Sequence, residues 1–364
     1  MKVFIYEHYD TGIGGNQRYL MLLIERFAEL YGNAVEVVLA VPSKGVFYQA
    51  VCQNDDVVAL ECKGLTSRVF ALWRQIRSTK PDVILCHNEA SLLTVLPAAL
   101  ARRIALIWHV KNLRRGGWSD FLCFLFARRV LAIAPQSLDV KSQRLVNWFR
   151  DKSYVQPIGT RLDEFSDINA DTADSYGAGG SLRILAVMFV GEAKGTDTLI
   201  EALEWLDQHH VSVDVRIVGA TAPGCERLAA DLRARSDQLE RVQVEWLGWR
   251  DDIRSMLEWT QVVVNPTRRD GVPRSIIEAM AAARPVIGSR IGGVPEAIVD
   301  GETGYLIEAG DAIGLAKKIS KLADDAPTRQ RFGQAARARA LERYDIDQHV
   351  KRLKEHLDAV VEGG

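Results

Sequence analysis

NPTRRDGVPRSIIEAMAAARPVIGSRIGGVPEAIVDGETGYL (residues 265–306) contains, in chain order, a strand end, a loop with Gly271 and Pro273, a helix, a second strand and a glycine-rich loop. A loop that runs into a helix N-terminus presents unpaired backbone N–H groups and the positive end of the helix dipole, which together bind a diphosphate well. Asp270 on the loop and Glu278 within the helix can point to one site, where carboxylates accept hydrogen bonds from sugar hydroxyls. The segment therefore predicts a strand–helix–strand unit that binds a sugar and a diphosphate.

Short apolar strands and amphipathic stretches alternate along the rest of the chain. One series includes VFIY, VEVVLAV, DVILCHN and ALIWHV, and a second begins at LRILAVMFV, after the polar stretch SDINADTADSYGAGG. Strands without polar alternation are typical of parallel sheets covered by helices on both faces, with ligands at the carboxyl ends of the strands. The sequence predicts an α/β fold of two Rossmann-like, doubly wound domains that face each other across a cleft. Their predicted ranges are 1–170 and 171–345, followed by a C-terminal helix at 346–364 that is free to pack back on the first domain.

Length and composition agree with this organisation. The 364 residues correspond to about two typical domains, and 48% hydrophobic with 26% charged residues is the mixture of a globular protein. The five cysteines are scattered without a C-x-x-C pair, which favours a reducing compartment over a disulfide framework or a zinc site. No secretion signal and no apolar run of ~18 residues is visible. We therefore expect a cytoplasmic protein.

The charge is distributed unevenly. Residues 1–165 carry a net +6 and the rest −7, and residues 102–152 hold 11 basic and 3 acidic side chains among seven aromatic rings. Basic side chains beside exposed aromatic rings bind an anionic membrane surface, here the inner face of the plasma membrane, or attract an anionic acceptor. Alternatively, apolar runs such as FLCFLF are core and the arginines flank a buried helix. Nucleic-acid binding is not expected, because no recognised module accompanies the charge.

The 265–306 segment resembles the signature of the retaining glycosyltransferases of family 4, which have the GT-B architecture. That signature has two acidic residues with seven between them, then E-A-M-A, a proline-led strand and G-G-x-x-E. The matching positions are Asp270, Glu278, Ala279, Met280, Ala281, Pro285, Val286, Ile287, Gly292, Gly293 and Glu296. Gly14-Gly15, His109, VQPIGTRLDEF and KGTDTLIEAL extend the resemblance along the chain. It implies transfer of a sugar from a nucleotide sugar to an acceptor hydroxyl with retention, in polysaccharide, lipopolysaccharide or glycolipid synthesis.

The resemblance also implies a role for each matching residue. Glu278 would bind the nucleotide ribose, Asp270 the transferred sugar and Lys194 the diphosphate, while His109 would touch the donor sugar near the reacting carbon. These four are the expected catalytic residues. The other expected donor-binding residues are Gly14, Gly15, Gly248, Trp249, Arg268, Arg269, Gly271, Val272, Pro273 and Arg274.

Other expectations concern the acceptor and metal ions. Arg18 and Lys111 are expected to contact the acceptor, which is a glycan, a lipid-linked molecule or a small molecule. His87, which also ends a strand, is a rival to His109 as a residue that lines the site. No Asp-x-Asp triplet follows a strand and no histidines have ligand spacing, so we expect no metal and no cofactor beyond the nucleotide-sugar co-substrate.

Two positions depart from the family pattern. Asp270 stands where most members have glutamate, and Met188-Phe189 stands where they have Gly-Arg, whose arginine grips the diphosphate. We expect one of Arg268, Arg269 and Arg274 to replace that arginine. The missing arginine also leaves open a degenerate, non-catalytic GT-B subunit that binds a nucleotide sugar or a partner enzyme. A dinucleotide-dependent oxidoreductase is disfavoured, because no G-x-G-x-x-G follows the first strand of either half.

Overall fold

The computed structural model describes residues 1–8, 15–52, 57–62, 64–111, 117–139, 141, 143–168 and 180–363. The chain divides into two compact units. Unit 1 comprises Met1–Thr160 and Ile346–Gly364, and unit 2 comprises Arg161–Asp345. The predicted boundary at residue 170 lies outside the described residues.

Unit 1 is built on a parallel sheet that has seven strands in its described part, in the order β3-β2-β1-β4-β5-β6-β7. The strands are β1 (Lys2–Tyr6), β2 (Glu36–Val41), β3 (Val57–Ala59), β4 (Val83–Cys86), β5 (Ala105–Val110), β6 (Arg129–Ala132) and β7 (Ser153–Val155). The helices are α1 (Gly15–Tyr31), α2 (Val46–Val51), α3 (Leu65–Thr79), α4 (Glu89–Arg102), α5 (Trp118–Phe126), α6 (Pro135–Asp139) and α7 (Gln143–Trp148). The C-terminal helix α16 (Ile346–Glu362) completes the unit.

Unit 2 contains a parallel sheet with six described strands in the order β10-β9-β8-β11-β12-β13. The strands are β8 (Leu182–Val187), β9 (Val213–Val218), β10 (Val242–Gly248), β11 (Val262–Asn265), β12 (Val286–Ser289) and β13 (Gly304–Ile307). The helices are α8 (Asp163–Ser166), α9 (Thr196–Gln208), α10 (Glu226–Ser236), α11 (Ile253–Trp259), α12 (Arg274–Ala281), α13 (Val294–Ala297), α14 (Ala312–Asp324) and α15 (Ala326–Tyr344). Both units confirm the predicted class of Rossmann-like domains with parallel sheets.

The side chains of β1 explain why helices cover both faces of the first sheet. Val3 and Ile5 belong to the core that α1 and α16 close, whereas Phe4 and Tyr6 belong to the core that α3, α4 and α5 close. All four are fully buried. A strand that is apolar on both faces must be covered on both faces, so the uninterrupted apolar runs of the sequence specify this layering.

The C-terminal helix α16 packs in unit 1, although unit 2 separates it from the rest of that unit in sequence. Its buried residues recur at helical spacing and form one stripe: Ile346, His349, Val350, Leu353, Leu357 and Val360. Gly159 permits the close approach, because a Cβ there would lie 2.6 Å from the Cβ of His349. No helix within the described ranges has the length and apolar character that crossing a membrane requires.

Candidate functional site

The loops that follow β8 and β11 are held together by their backbones. The N–H groups of Arg268 and Arg269 donate to the carbonyl of Ala193 at 3.0 and 3.2 Å. Gly195 has a φ of +71°, and a Cβ at this position would lie 1.9 Å from the carbonyl oxygen of Pro266. A glycine is therefore required there. The turn that precedes it is fixed against the loop between β11 and α12, the acidic loop, which carries Asp270.

This contact brings together two of the predicted catalytic residues. The Nζ of Lys194, on the turn, forms an ion pair with Oδ2 of Asp270, 76 residues later. The second oxygen of the carboxylate accepts from the Gly271 N–H at 2.8 Å. The side chains of the pair keep 28% and 25% of their exposure, so a ligand can reach both.

Helix α12 supplies the third predicted residue. Glu278 is 9% exposed and accepts a hydrogen bond from Arg274, one turn earlier, at 3.1 Å. The helix begins directly after Pro273, and its first turn holds no acidic residue. The N-terminal N–H groups and the dipole therefore keep their attraction for an anion.

The three arginines considered as the replacement cation have different surroundings. Arg268 holds Asp197 with two hydrogen bonds of 2.8 and 2.7 Å, and this carboxylate raises the pKa of the guanidinium. Arg274 is held by Glu278. Arg269 is exposed, and within the described ranges its guanidinium has no hydrogen bond or ion pair. Arg269 is thus the arginine whose charge is not already engaged.

The other predicted donor residues lie at the same edge or outside the described part. Gly248 ends β10 with a φ of +64°, and Trp249 after it is 53% exposed. The acidic loop is anchored at Gly271, whose carbonyl accepts from the Gly293 N–H at 2.8 Å, and Val272 is buried. Gly14 lies outside the described residues, and Gly15 is the first residue of α1.

At the carboxyl edge of the first sheet, His109 lies near the end of β5 and is paired with Leu131 of β6. It is fully buried, with its ring centroid 5.4 Å from that of His87 and 6.2 Å from that of His349. Burial lowers the pKa of all three, to about 3 for His349. The two rival histidines, His87 and His109, therefore lie in one uncharged cluster.

Tyr19 and His349 are functional candidates that the sequence reasoning missed. The Nδ1–H of His349 donates to the Pro157 carbonyl at 2.7 Å, so its Nε2 accepts from the Tyr19 hydroxyl, also at 2.7 Å. The Nζ of Lys111 lies 3.5 Å from the centre of the Tyr19 ring and donates to Asn16 at 2.8 Å. The helical spacing of the apolar residues of α16 places His349 on its buried face, which was the available signal.

The predicted acceptor residues differ in exposure. Lys111 is partly buried, and burial lowers its pKa well below the usual range against the opposing effect of Glu7. Arg18 is exposed on α1. Within the described part of the chain, no group of three or more His, Cys, Asp or Glu side chains has an arrangement that suits a metal ion.

The aromatic residues of the basic segment 102–152 divide between the core and the surface. Trp108 and Phe124 are core residues, in contact edge to face at 5.3 Å. Trp118 and Trp148, by contrast, are 81% and 78% exposed. The FLCFLF run is thus partly core, as one alternative predicted, but α5 begins with an exposed tryptophan.

Residues 184–325, within unit 2, match the family model described as "Glycosyl transferases group 1". Among the relatives, N-acetyl-alpha-D-glucosaminyl L-malate synthase of Bacillus anthracis is 32% identical over 112 residues, which are 31% of this chain and 29% of that protein. The capsular polysaccharide biosynthesis glycosyltransferase CapM of Staphylococcus aureus is 23% identical over 75% of this chain and 78% of its own. The chain thus spans less than a third of the first of these relatives and about three quarters of the second.

A likeness in fold covers almost the whole chain. The crystal structure of Anabaena Alr3699/HepE in complex with UDP has a TM-score of 0.83 and 20% identity, over 99% of this chain and all of that one. The fold class is therefore GT-B, and the sequence match to group 1 lies within unit 2.

Proposed function

We propose that the protein is a glycosyltransferase that moves a sugar from a nucleotide sugar to an acceptor hydroxyl, with retention, in the synthesis of a polysaccharide, lipopolysaccharide or glycolipid. The observation that carries the proposal is the Lys194–Asp270 pair beside the open N-terminus of α12. It provides one cation for a diphosphate and one carboxylate for a sugar. The group 1 match covers these residues, and the solved structure of similar fold contains UDP.

The proposed reaction replaces the bond between the anomeric carbon and the diphosphate with a bond to the acceptor oxygen. Negative charge then grows on the departing diphosphate, and Lys194, Arg269 and the N–H groups of α12 would stabilise it. Donors positioned in advance for a developing charge are among the larger contributions to catalysis, at roughly 3 kcal/mol each. Glu278 would hold the ribose and Asp270 the sugar.

Donor binding and transfer are tested on the same purified protein. Titration calorimetry with UDP, GDP and ADP is expected to identify one diphosphate that binds, and its sugar nucleotide should then be hydrolysed or transferred. Treatment with EDTA should leave the rate of hydrolysis or transfer unchanged, because no metal ion is expected to neutralise the diphosphate. Binding without turnover on any acceptor would favour the non-catalytic subunit, and an inverted anomeric centre by NMR would overturn retention.

The exposed tryptophans of unit 1 support a peripheral membrane location. Trp118 and Trp148 stand in a segment with an excess of eight positive charges, and exposed indoles with basic neighbours bind the interface of an anionic bilayer. Co-sedimentation with phosphatidylglycerol vesicles should be lost in Trp118→Ala with Trp148→Ala. Phe70→Ala, at an exposed aromatic residue of α3, is the control. Equal sedimentation of both variants would overturn the proposal.

A further inference from the structure

Two large aromatic side chains of unit 2 are exposed beside each other. Phe189 is 47% exposed and Trp249 is 53% exposed, with ring centroids 6.3 Å apart and an angle of 36° between the ring planes. Burial of an aromatic ring is worth several kcal/mol to a fold, so a pair left in water is a feature that binding partners commonly cover.

The backbone places the pair at the carboxyl edge of the second sheet. Phe189 follows β8 and Trp249 follows β10, with β9 between these strands. At the end of β9, the N–H of Gly219 donates to the carbonyl of Gly248 at 2.7 Å. A Cβ on Gly219 would lie 1.9 Å from the Met188 carbonyl oxygen, so glycine is required there. The residue that follows β9, between the two aromatic residues, is therefore a glycine, and it places no side chain between the rings.

Two cations close to the pair in sequence are already engaged by carboxylates. Arg250, next to Trp249, forms two hydrogen bonds of 2.7 and 2.6 Å with Asp252. Lys194 stands on the same β8–α9 loop as Phe189, but its ammonium is paired with Asp270. The loop nevertheless carries an aromatic ring at one end and, at the other, a cation in a partly exposed ion pair that an anion can replace. This combination suits a ligand with a flat ring at one end and an anion at the other.

We propose that Phe189 and Trp249 form an aromatic wall against which the nucleobase of the donor stacks. This inference rests on the proposed function and specifies its donor site further. Stacking stabilises any base, since every base has a π face, and it needs no cation at position 189. Donor affinity accordingly depends more on the base, and less on the diphosphate, than in a site with an arginine at that position.

The wall is tested by binding of UDP, GDP and ADP and of the matching free nucleosides. For the diphosphate that binds, Phe189→Ala and Trp249→Leu should each weaken binding roughly ten-fold, as is typical when a stacking ring is removed. Phe189→Leu keeps an apolar side chain but removes the π face, and it should lose nearly as much. If Phe189→Leu binds like the wild type, apolar packing suffices and stacking is wrong.

The variant Phe189→Arg distinguishes the contribution of the base to binding from that of the phosphates. It should weaken binding of the free nucleoside while changing the diphosphate less or tightening it, so the ratio of the two affinities rises. Ile313→Ala, at an exposed apolar residue of α14, should leave both unchanged. If the wild type binds no diphosphate, the proposed function and the wall fail together. If it binds one and the Phe189 and Trp249 variants match it, the wall alone fails.

Discussion

The two sheets share one order of strands, apart from β7 of unit 1, but the side chains at their carboxyl edges differ in burial and charge. In unit 1 the edge holds His87, His109 and His349, each at most 3% exposed, with a pKa that burial lowers. In unit 2 it holds the ion pair of Lys194 and Asp270, about a quarter exposed. The histidines of the first edge are buried beside Lys111, whereas the ion pair of the second edge is partly exposed, so each edge is sensitive to a different change.

The two arrangements also differ in what they cost. A partly exposed ion pair contributes only about 0–1 kcal/mol, so its exchange for an anionic ligand is inexpensive. A buried imidazole loses much more if it must take up a proton without a partner. The edge of unit 2 is suited to ligand exchange, whereas the edge of unit 1 is suited to holding neutral side chains in fixed positions.

Mild acid should therefore destabilise unit 1, and the combined effect of its three buried histidines is the largest effect expected. Unfolded histidine binds a proton near pH 6.5, and His349 does so at about pH 3 in the fold, so the unfolded state binds more protons below pH 6.5. The free energy of unfolding is fully present above pH 6.5 and falls as the pH drops toward 3. From pH 7 to pH 5 the loss is about 2 kcal/mol from His349, with His87 and His109 acting in the same direction.

Hydrogen exchange followed by mass spectrometry measures the two units separately. Peptides from the core strands of unit 1 should lose protection between pH 7 and pH 5, after correction for the intrinsic rate. Unit 2 has only His209 and His210, both exposed, and should change little. His349→Gln should reduce the pH dependence of unit 1. Equal losses in both units would contradict the comparison.

Lys194→Ala tests the charged edge and should cost about 3 kcal/mol of transition-state stabilisation, which is a rate loss of 10²- to 10³-fold. Removal of the ammonium also leaves Asp270 unpaired and near the diphosphate, so donor affinity should fall as well. Turnover of the sugar nucleotide and calorimetry of its diphosphate measure the two effects. Lys317→Ala on α14 is the charge-matched control. A loss below ten-fold would remove Lys194 from the proposed catalytic group.

The resemblance assigned Lys194 and Asp270 to one site, and they do lie in contact, whereas nothing in the sequence indicated that His349 joins His87 and His109. The loops of unit 2 carry local sequence signals, such as Gly195, which has a φ of +71°, and Pro273 directly before α12. The Tyr19–His349 hydrogen bond joins residues 330 apart, and nothing near either residue in sequence indicates the other. Local patterns predict loops and strand ends, whereas contacts made by a returning C-terminal helix depend on packing.

The arginines show a second limit of sequence reasoning. The sequence alone does not distinguish between Arg268, Arg269 and Arg274 as replacements for the arginine that the family has at the position of Phe189. Only the fold separates them, because Asp197 lies on α9 and Glu278 on α12, and each carboxylate holds one guanidinium. The sequence therefore offers three candidate arginines, and the fold shows which guanidiniums are already held by a carboxylate.

Arg269→Ala and Arg268→Ala sharpen this last distinction and carry the smallest expected effects. Arg269→Ala should weaken diphosphate binding roughly ten-fold with no change in stability, because its exposed guanidinium holds no described residue and a charged hydrogen bond is worth about 1.5–3 kcal/mol at most. Arg268→Ala should change binding less than two-fold and lower the free energy of unfolding by about 1 kcal/mol or less, since its partly exposed pair with Asp197 is structural. Calorimetry and thermal unfolding of the two variants, side by side, measure both quantities. The reverse result would mean that ligand binding breaks the Arg268–Asp197 pair. The diphosphate would then be bound by Arg268 and not by the exposed Arg269.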